Sequence, residues 1–194
     1  MATQEERKEL TQKRIIRAAR VVFARDGFAK ASLFEVVKKS GVTTGAIYHH
    51  FTDKKGLFTA VAEDLEKEII REASKTTRKS GTYWERFESN VTQTLEVCAR
   101  PDIQRIVFRE APTVVGLHEW KKIEQKYGFG LLQKSIGEFA KEGIIKTLNP
   151  DLTAQILLGA IMEAAHAAAL AKNKKKVLKE GQAIVLAFLR ALKS

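Results

Sequence analysis

The sequence predicts an all-α fold with about nine helices, and three observations lead to this prediction. Apolar residues recur at the three- and four-residue spacing of amphipathic helices along nearly the whole chain. No proline occurs before Pro101. The alternating β-branched runs that predict strands are not found in the sequence. At 194 residues the chain has room for a small N-terminal domain and a larger helical one.

The first three predicted helices are delimited by local signals. An apolar stripe marks the first of them: Ile15, Ala18, Ala19, Val22 and Phe23. Gly27 follows the stripe and predicts its end, because glycine is a common helix stop. Ser32 with Glu35 three residues later has the pattern of a capping box and predicts the start of a short second helix. Gly41 ends that helix, and Thr43 starts a third that runs to about Phe51.

Six more helices are predicted after the third. They cover about residues 54–79, 82–99, 102–110, 119–141, 150–171 and 177–192. Three glycines inside residues 119–141 predict a kink there. Asn149 and Pro150 form a typical helix start, since proline has no N–H to leave unbonded at the first helical position.

The charge of the chain is unevenly distributed. The formal net charge is +11, and residues 1–55 hold 12 Lys or Arg against 6 Asp or Glu, a net +6. The other 139 residues carry a net +5. No acidic residue occurs between Val36 and Thr52. A basic surface attracts polyanions such as nucleic acid or an anionic membrane face, although lysines that only keep a protein soluble give a similar composition.

Two short helices joined by a turn with glycine are the skeleton of a helix-turn-helix, whose second helix enters the major groove of DNA. The outward positions of the predicted third helix are small, polar or aromatic, and uncharged: Thr43, Thr44, Gly45, Tyr48 and His49. Such side chains suit contacts to base edges and phosphates. Ser32 and Lys54, each at a helix N-terminus, are expected to contact flanking phosphates.

Three segments of the N-terminal region resemble the TetR family of bacterial regulators. IIRAARVVFARDGF at 15–28 is similar to the family's first helix and the glycine and aromatic residue after it. GVTTGAIYHHF at 41–51 is similar to its turn and recognition helix, and TDKKGLF at 52–58 to the start of its fourth helix. The resemblance is specific over about residues 14–58 and looser beyond them.

The resemblance implies a DNA-binding domain at 1–55 and an effector-binding and dimerisation domain at 56–194. By the same analogy, Tyr48 and Lys54 would grip phosphates, and His50 would pack or touch phosphate. The residues nearest the bases would be Thr43, Thr44, Gly45 and His49.

The last two predicted helices favour a homodimer. Residues 152–171 are apolar nearly all round, so that helix must be buried on more than one face. Residues 177–192 form an amphipathic helix that can pair with it. Two such helices from each of two subunits would form a four-helix interface, and a twofold protein matches a pseudo-palindromic operator on double-stranded DNA. A monomer with both helices in its own core stays open.

Aromatic residues of the C-terminal region are candidates for an effector pocket. They are Trp84, Phe87, Phe108, Trp120, Tyr127 and Phe129. Glu163 and His166, on an otherwise apolar helix, would anchor a small, largely apolar effector. Each of these residues has an alternative structural role, the aromatic ones in the core and the polar ones in internal hydrogen bonds.

The predicted function is therefore a cytoplasmic transcriptional regulator, with repression favoured because it is common in the resembled family. Four histidines and Cys98 lack metal-ligand spacing, and no phosphate loop or nucleophile elbow occurs, so no metal, cofactor or enzyme activity is predicted. No apolar segment is predicted to span a membrane. Two alternatives stay open: a TetR-like DNA-binding protein without an effector, and a helical module that binds a membrane surface or another protein.

Overall fold

The computed structural model describes residues 3–194, and within them it contains ten helices and no β-strand, which confirms the predicted all-α fold. The helices are α1 (Gln4–Lys30), α2 (Leu33–Ser40), α3 (Thr44–His50), α4 (Lys54–Thr76), α5 (Tyr83–Cys98), α6 (the contiguous parts Pro101–Ile103, Gln104–Glu110 and Ala111–Val114), α7 (Leu117–Lys126), α8 (Gly128–Lys141), α9 (Pro150–Leu170) and α10 (Lys174–Ala191). The middle part of α6, Gln104–Glu110, is a π-helix.

The first three helices form the expected helix-turn-helix unit. α1 packs on α2 and α4, and α2 packs on α3. The apolar stripe of α1 meets Val36 of α2, Ile47 of α3 and Phe58 of α4 in one buried core. The Phe58 ring packs edge-on against those of Phe23, at 5.1 Å, and Phe28, at 5.3 Å. The apolar periodicity of the sequence thus accounts for how α3 is held against α1.

The expected capping box at Ser32 is wrong. Ser32 does precede the first residue of α2, but its hydroxyl accepts no hydrogen bond from that helix. Glu35 instead forms an ion pair with Arg25 of α1, so its carboxylate does not reach back to Ser32. The helix-ending Gly27 breaks α1, with φ at +76°, and the chain resumes a helical path as far as Lys30.

The segment predicted as one kinked helix over 119–141 is two helices, which raises the count from nine to ten. Tyr127 separates α7 from α8 with φ −119° and ψ −113°. The backbone turns back on itself here, since a Cβ atom on Gly130 would lie only 2.0 Å from the carbonyl oxygen of Gln125. Only glycine fits this approach at position 130, so the segment is broken between two helices instead of kinked.

α9 packs on α5, α8 and α10. One face of α9 is buried within the subunit: Ala154, Leu157, Ile161, Ala165 and Ala168. Gly181 of α10 allows the two helices to approach, because a Cβ atom there would lie 3.1 Å from Cβ of Ala164. Among the described helices, Pro150–Leu170 alone has the length and composition to cross a bilayer, a test that the core helix of a soluble protein also passes.

Candidate DNA-binding surface and ligand cavity

The surface of α3 is built by one inward and several outward positions. Ile47 is buried against the core, while the residues at the outward positions are all exposed: Thr43, Thr44, Gly45, Tyr48 and His49. The hydroxyl of Thr43 accepts a hydrogen bond from the N–H of Ala46 at 3.2 Å and caps the helix. Nothing but Thr43 lies within 4 Å of a Cβ atom placed on Gly45.

Tyr48 is 53% exposed, and its hydroxyl forms no hydrogen bond with any residue in the described part of the chain. His50 is half-buried, and its ring packs edge-on against that of His49 at 5.5 Å. Burial, and then the charges of His49 and Lys8, lower the pKa of His50. The imidazole is therefore neutral near pH 7 and offers one donor and one acceptor.

Ser32 and Lys54 flank α3 at two helix N-termini. The Ser32 side chain is exposed, so its hydroxyl and the first N–H groups of α2 are available together. Lys54 has an internal role as well. Its ammonium donates a hydrogen bond to the Ala29 carbonyl at 3.2 Å and lies 5.0 Å from the centre of the Phe28 ring. Lys54 thus caps the C-terminal end of α1.

A cavity of about 370 Å³ lies among α4, α5, α6, α7, α8 and α9. Its walls are mainly apolar, and its lining residues are Glu66, Ile69, Ile70, Ser74, Thr77, Tyr83, Arg86, Phe87, Asn90, Val91, Thr94, Cys98, Phe108, Glu124, Gly128, Phe129, Leu131, Leu132, Ser135, Leu158, Ile161 and Met162. Ser74, Tyr83 and Leu131 are exposed and mark the mouth, whereas Glu66 and Cys98 are buried at the inner end.

Three of the six aromatic residues proposed from the sequence, Phe87, Phe108 and Phe129, line this cavity. The other three lie outside it. Trp84 packs edge-on against Phe139 at 5.2 Å and donates its indole N–H to Glu88. Trp120 is buried, and the Tyr127 hydroxyl donates to Glu63. Aromatic composition does not distinguish a core ring from a cavity ring.

Glu163 and His166 lie in a separate, more open groove with Arg105 and Arg109. Both side chains are exposed on α9, and the His166 Nδ1 atom is 3.1 Å from Oε1 of Gln104. The Leu158 and Ile161 side chains of the same helix line the cavity instead. The two polar groups predicted as ligand anchors are thus not part of the cavity.

Sequence reasoning missed the two carboxylates that line the cavity, Glu66 and Glu124. Glu66 is only 6% exposed. Burial raises the pKa of the Glu66 carboxyl to about 7, and the nearby charge of Glu124 adds to the rise. Burial likewise raises the pKa of Glu124. A signal was present, because Glu66 follows Phe58 and Ala62 at four-residue spacing on the apolar stripe of α4.

The raised pKa of Glu66 predicts a pH-dependent cost in stability. The folded protein binds a proton at Glu66 more tightly than the unfolded chain does. The free energy of unfolding therefore falls as pH rises from about 4.5 to about 7. We expect Glu66→Gln to raise this free energy by about 3 kcal/mol at pH 8 and by little at pH 4.5. Urea unfolding at both pH values measures the difference, with the exposed Glu96→Gln as control. A gain equal at both values would contradict the burial of a charged Glu66.

α6 joins the cavity to the helix-turn-helix unit. Phe108, on its π-helical part, lines the cavity. Arg105 of the same part donates to the Ala24 carbonyl at 2.8 Å, and Glu110 accepts from the Phe28 N–H at 2.7 Å. These bonds satisfy backbone groups on both sides of the Gly27 break in α1. α6 thus contacts both the cavity and the end of α1.

A helix-turn-helix unit whose second helix is exposed is typical of DNA-binding transcriptional regulators. Two family models match the chain: "Bacterial regulatory proteins, tetR family" over residues 15–61 and "Tetracyclin repressor-like, C-terminal domain" over residues 84–192. The second match alone spans more than half of the chain. The chain belongs to the TetR family of transcriptional regulators.

Individual relatives agree with this assignment. The Transposon Tn10 TetC protein of Escherichia coli is 31% identical over 194 residues, covering 98% of this chain and 96% of the relative. The HTH-type transcriptional repressor BepR of Brucella suis is 30% identical over 167 residues, covering 78% and 77%. The crystal structure of a TetR-family transcriptional regulator from Pectobacterium atrosepticum superposes with a TM-score of 0.75 at 30% identity, covering 99% and 98%. Regulators of this family bind DNA, and they typically dimerise and bind small molecules.

Proposed function

We propose that the protein is a homodimeric repressor that binds a pseudo-palindromic operator and releases it when a small molecule occupies the cavity. Residues 1–55 would form the DNA-binding domain, and residues 56–194 the effector-binding and dimerisation domain. Repression, as opposed to activation, is proposed because the Brucella relative is named a repressor. The protein would act in the cytoplasm, where bacterial DNA lies.

The observation that carries the DNA-binding proposal is the surface of α3. Its exposed side chains are uncharged, and no acidic residue between Val36 and Thr52 would repel phosphates. Thr44, Gly45 and His49 would approach base edges, with Thr43 at the start of the helix. The free Tyr48 hydroxyl and the exposed Ser32 hydroxyl suit phosphate contacts. Lys54 and the neutral imidazole of His50 would lie beside the same phosphate backbone of the DNA.

The dimer proposal rests on an apolar face that one subunit leaves exposed. Its members recur at helical spacing on α9 and α10: Leu152, Ile156, Gly159, Ala167, Leu170, Ala183, Ile184, Ala187 and Phe188. Ile184 is 70% exposed and Phe188 41%. A second copy of the chain fits this face, because the two helices would pair with their own symmetry mates in a four-helix interface. Glu163 lies within the same face and would meet the partner rather than a ligand.

A path for control runs through α6. A ligand that displaces Phe108 would move the π-helical part that carries Arg105 and Glu110, which hold the broken end of α1. Both recognition helices of a dimer must enter successive major grooves roughly 34 Å apart. A small rotation of each DNA-binding unit therefore misaligns the pair. A coupling of about 1–3 kcal/mol lowers operator affinity roughly 5- to 150-fold.

Selection of bound duplexes from a random pool tests this function. We expect the purified protein to enrich a pseudo-palindrome whose half-site centres are about 10 base pairs, or a multiple of that, apart. Compounds are then screened for release of the enriched duplex. Release by any compound supports effector control. If many compounds bind the protein and none releases the duplex, the alternative is favoured, in which this protein binds DNA without control by an effector. Failure to enrich any duplex would contradict sequence-specific DNA binding.

A further inference from the structure

We propose that the cavity takes an amphipathic organic cation, an apolar or aromatic body joined to an ammonium group, whose charge is held by Glu66 and Glu124. This inference deepens the proposed function, because it names the chemical class of the ligand and rests on the cavity being the effector site. It also changes the expectation from the sequence, which was a small, largely apolar effector anchored by Glu163 or His166.

Glu66 is the main support for the inference. Its side chain lines the inner end of the cavity while being almost completely buried in the subunit. Within residues 3–194 no side chain donates a hydrogen bond to it and no Lys, Arg or His pairs with it, and its polar neighbour is the backbone N–H of Gly128. A buried carboxylate without a counter-charge is costly, so a positive group that enters the cavity beside Glu66 would be stabilised by it.

The other charged and titratable groups around Glu66 do not supply that charge. On α5, burial and the charge of Glu66 raise the pKa of the Cys98 thiol, which stays protonated and neutral. Tyr83 and Arg86 lie toward the mouth, where Arg86 donates to the Gly81 carbonyl at 2.6 Å. On α7, Glu124 adds a second carboxylate, whose pKa is raised by burial against the smaller lowering effects of the Trp120 indole N–H and the charge of Lys121. The lining residues from α6, α8 and α9 bring no titratable group.

The remaining walls suit the body of such a ligand. Ile69, Phe87, Val91, Phe108 and Leu132 supply apolar and aromatic contacts between the mouth and Glu66. A neutral apolar ligand would displace water from both carboxylates and supply no counter-charge. An anion would add repulsion. A cation instead offsets the desolvation of Glu66 and can pack its charge against the aromatic faces.

Three probes with one naphthalene ring separate these possibilities. They are (1-naphthylmethyl)trimethylammonium, the neutral 1-naphthalenemethanol and the anion 1-naphthylacetate. Binding is measured by calorimetry on the full-length, DNA-free protein. At pH 8 we expect the cation to bind at least about tenfold tighter than the alcohol, because its charge is attracted to the ionised Glu66 carboxylate. A tenfold difference in affinity corresponds to about 1.4 kcal/mol. The acetate should bind most weakly.

The pH dependence identifies the group that holds the charge. The cation carries a permanent charge, and it binds ionised Glu66, so its affinity should fall about tenfold between pH 8 and pH 6. Glu66→Gln should remove both this dependence and the preference for the cation while retaining the alcohol. Glu124→Gln should reduce the preference in part. Glu96→Gln, an exposed carboxylate of α5 outside the cavity, should leave all three affinities unchanged.

Several results would overturn the inference: no binding of the cation at pH 8, equal affinity for cation and alcohol, tightest binding of the acetate, or an unchanged preference in Glu66→Gln. If the affinity for the probes rises toward pH 6 instead, Glu66 is protonated and donates a hydrogen bond to a neutral ligand. Operator release is measured separately. If the cation binds without releasing DNA, the ligand class stands and effector control fails. If only the alcohol or the acetate releases DNA, control stands and the cation inference fails.

Discussion

Glutamate at both Ile184 and Phe188 is expected to convert the dimer into a monomer and to remove tight operator binding at the same time. Each substitution occurs twice in a symmetric interface, so four carboxylates would be buried in an apolar face without counter-charges. A monomer binds a single half-site and therefore lacks the additional affinity that a dimer has from binding both half-sites at once. Operator affinity should therefore fall by on the order of a hundredfold or more.

Sedimentation velocity at micromolar concentration and fluorescence anisotropy with the selected duplex measure the two effects. Both substituted side chains are exposed in the subunit, so each subunit should keep its helical content. Lys179→Glu is the control, because Lys179 is an exposed residue of α10 outside the apolar face. A persistent dimer, or a monomer that still binds the palindrome tightly, would refute the proposed interface.

The recognition helix provides the second large effect, and two substitutions on it should differ in kind. Thr44→Ala should weaken binding to the selected operator roughly 10- to 100-fold and relax the preference at one position of each half-site, since a base contact is worth about 1–3 kcal/mol. Tyr48→Phe should weaken binding to all duplexes alike, by about fivefold, because a phosphate contact carries no sequence information.

The salt dependence adds an independent check on Tyr48. The hydroxyl is uncharged and displaces no counterion, so the slope of log affinity against log salt should be the same in Tyr48→Phe as in the wild type. Tyr127→Phe is the matched control, since its hydroxyl bonds to Glu63 away from α3. An unchanged affinity in both Thr44→Ala and Tyr48→Phe would show that DNA docks on another surface.

Local patterns predicted most of the helices because each signal acts within a few residues. Gly27 and Gly41 both have the positive φ that a helix stop favours, and the apolar stripe of α1 is buried as expected. The break at Tyr127 was not predictable, because it depends on Gly130 meeting the Gln125 carbonyl after the chain has folded back. The helix-turn-helix was recognisable since its spacing is local.

The cavity was only partly predictable, because its walls come from six helices. Trp84 and Phe87 both pack edge-on against Phe139, at 5.2 and 5.1 Å, and only Phe87 also lines the cavity. That difference depends on how the helices meet and not on residue type. Glu163 appeared as a lone carboxylate on an apolar helix, yet it lies on the outer face of α9. Glu66 lies on α4, which is rich in charged residues, and it faces inward because it occupies the apolar stripe of that helix. A carboxylate on an apolar face therefore marks an unusual environment and not its location.

The affinity of the purified protein for the selected palindrome, compared with a scrambled duplex of the same composition at one salt concentration, tests the central claim most directly. A dimeric helix-turn-helix regulator should bind the palindrome about a thousandfold or more tighter, with one dimer for each duplex. Equal affinity for the two duplexes would contradict the account, because it would reduce the interaction to attraction between a basic protein and any polyanion.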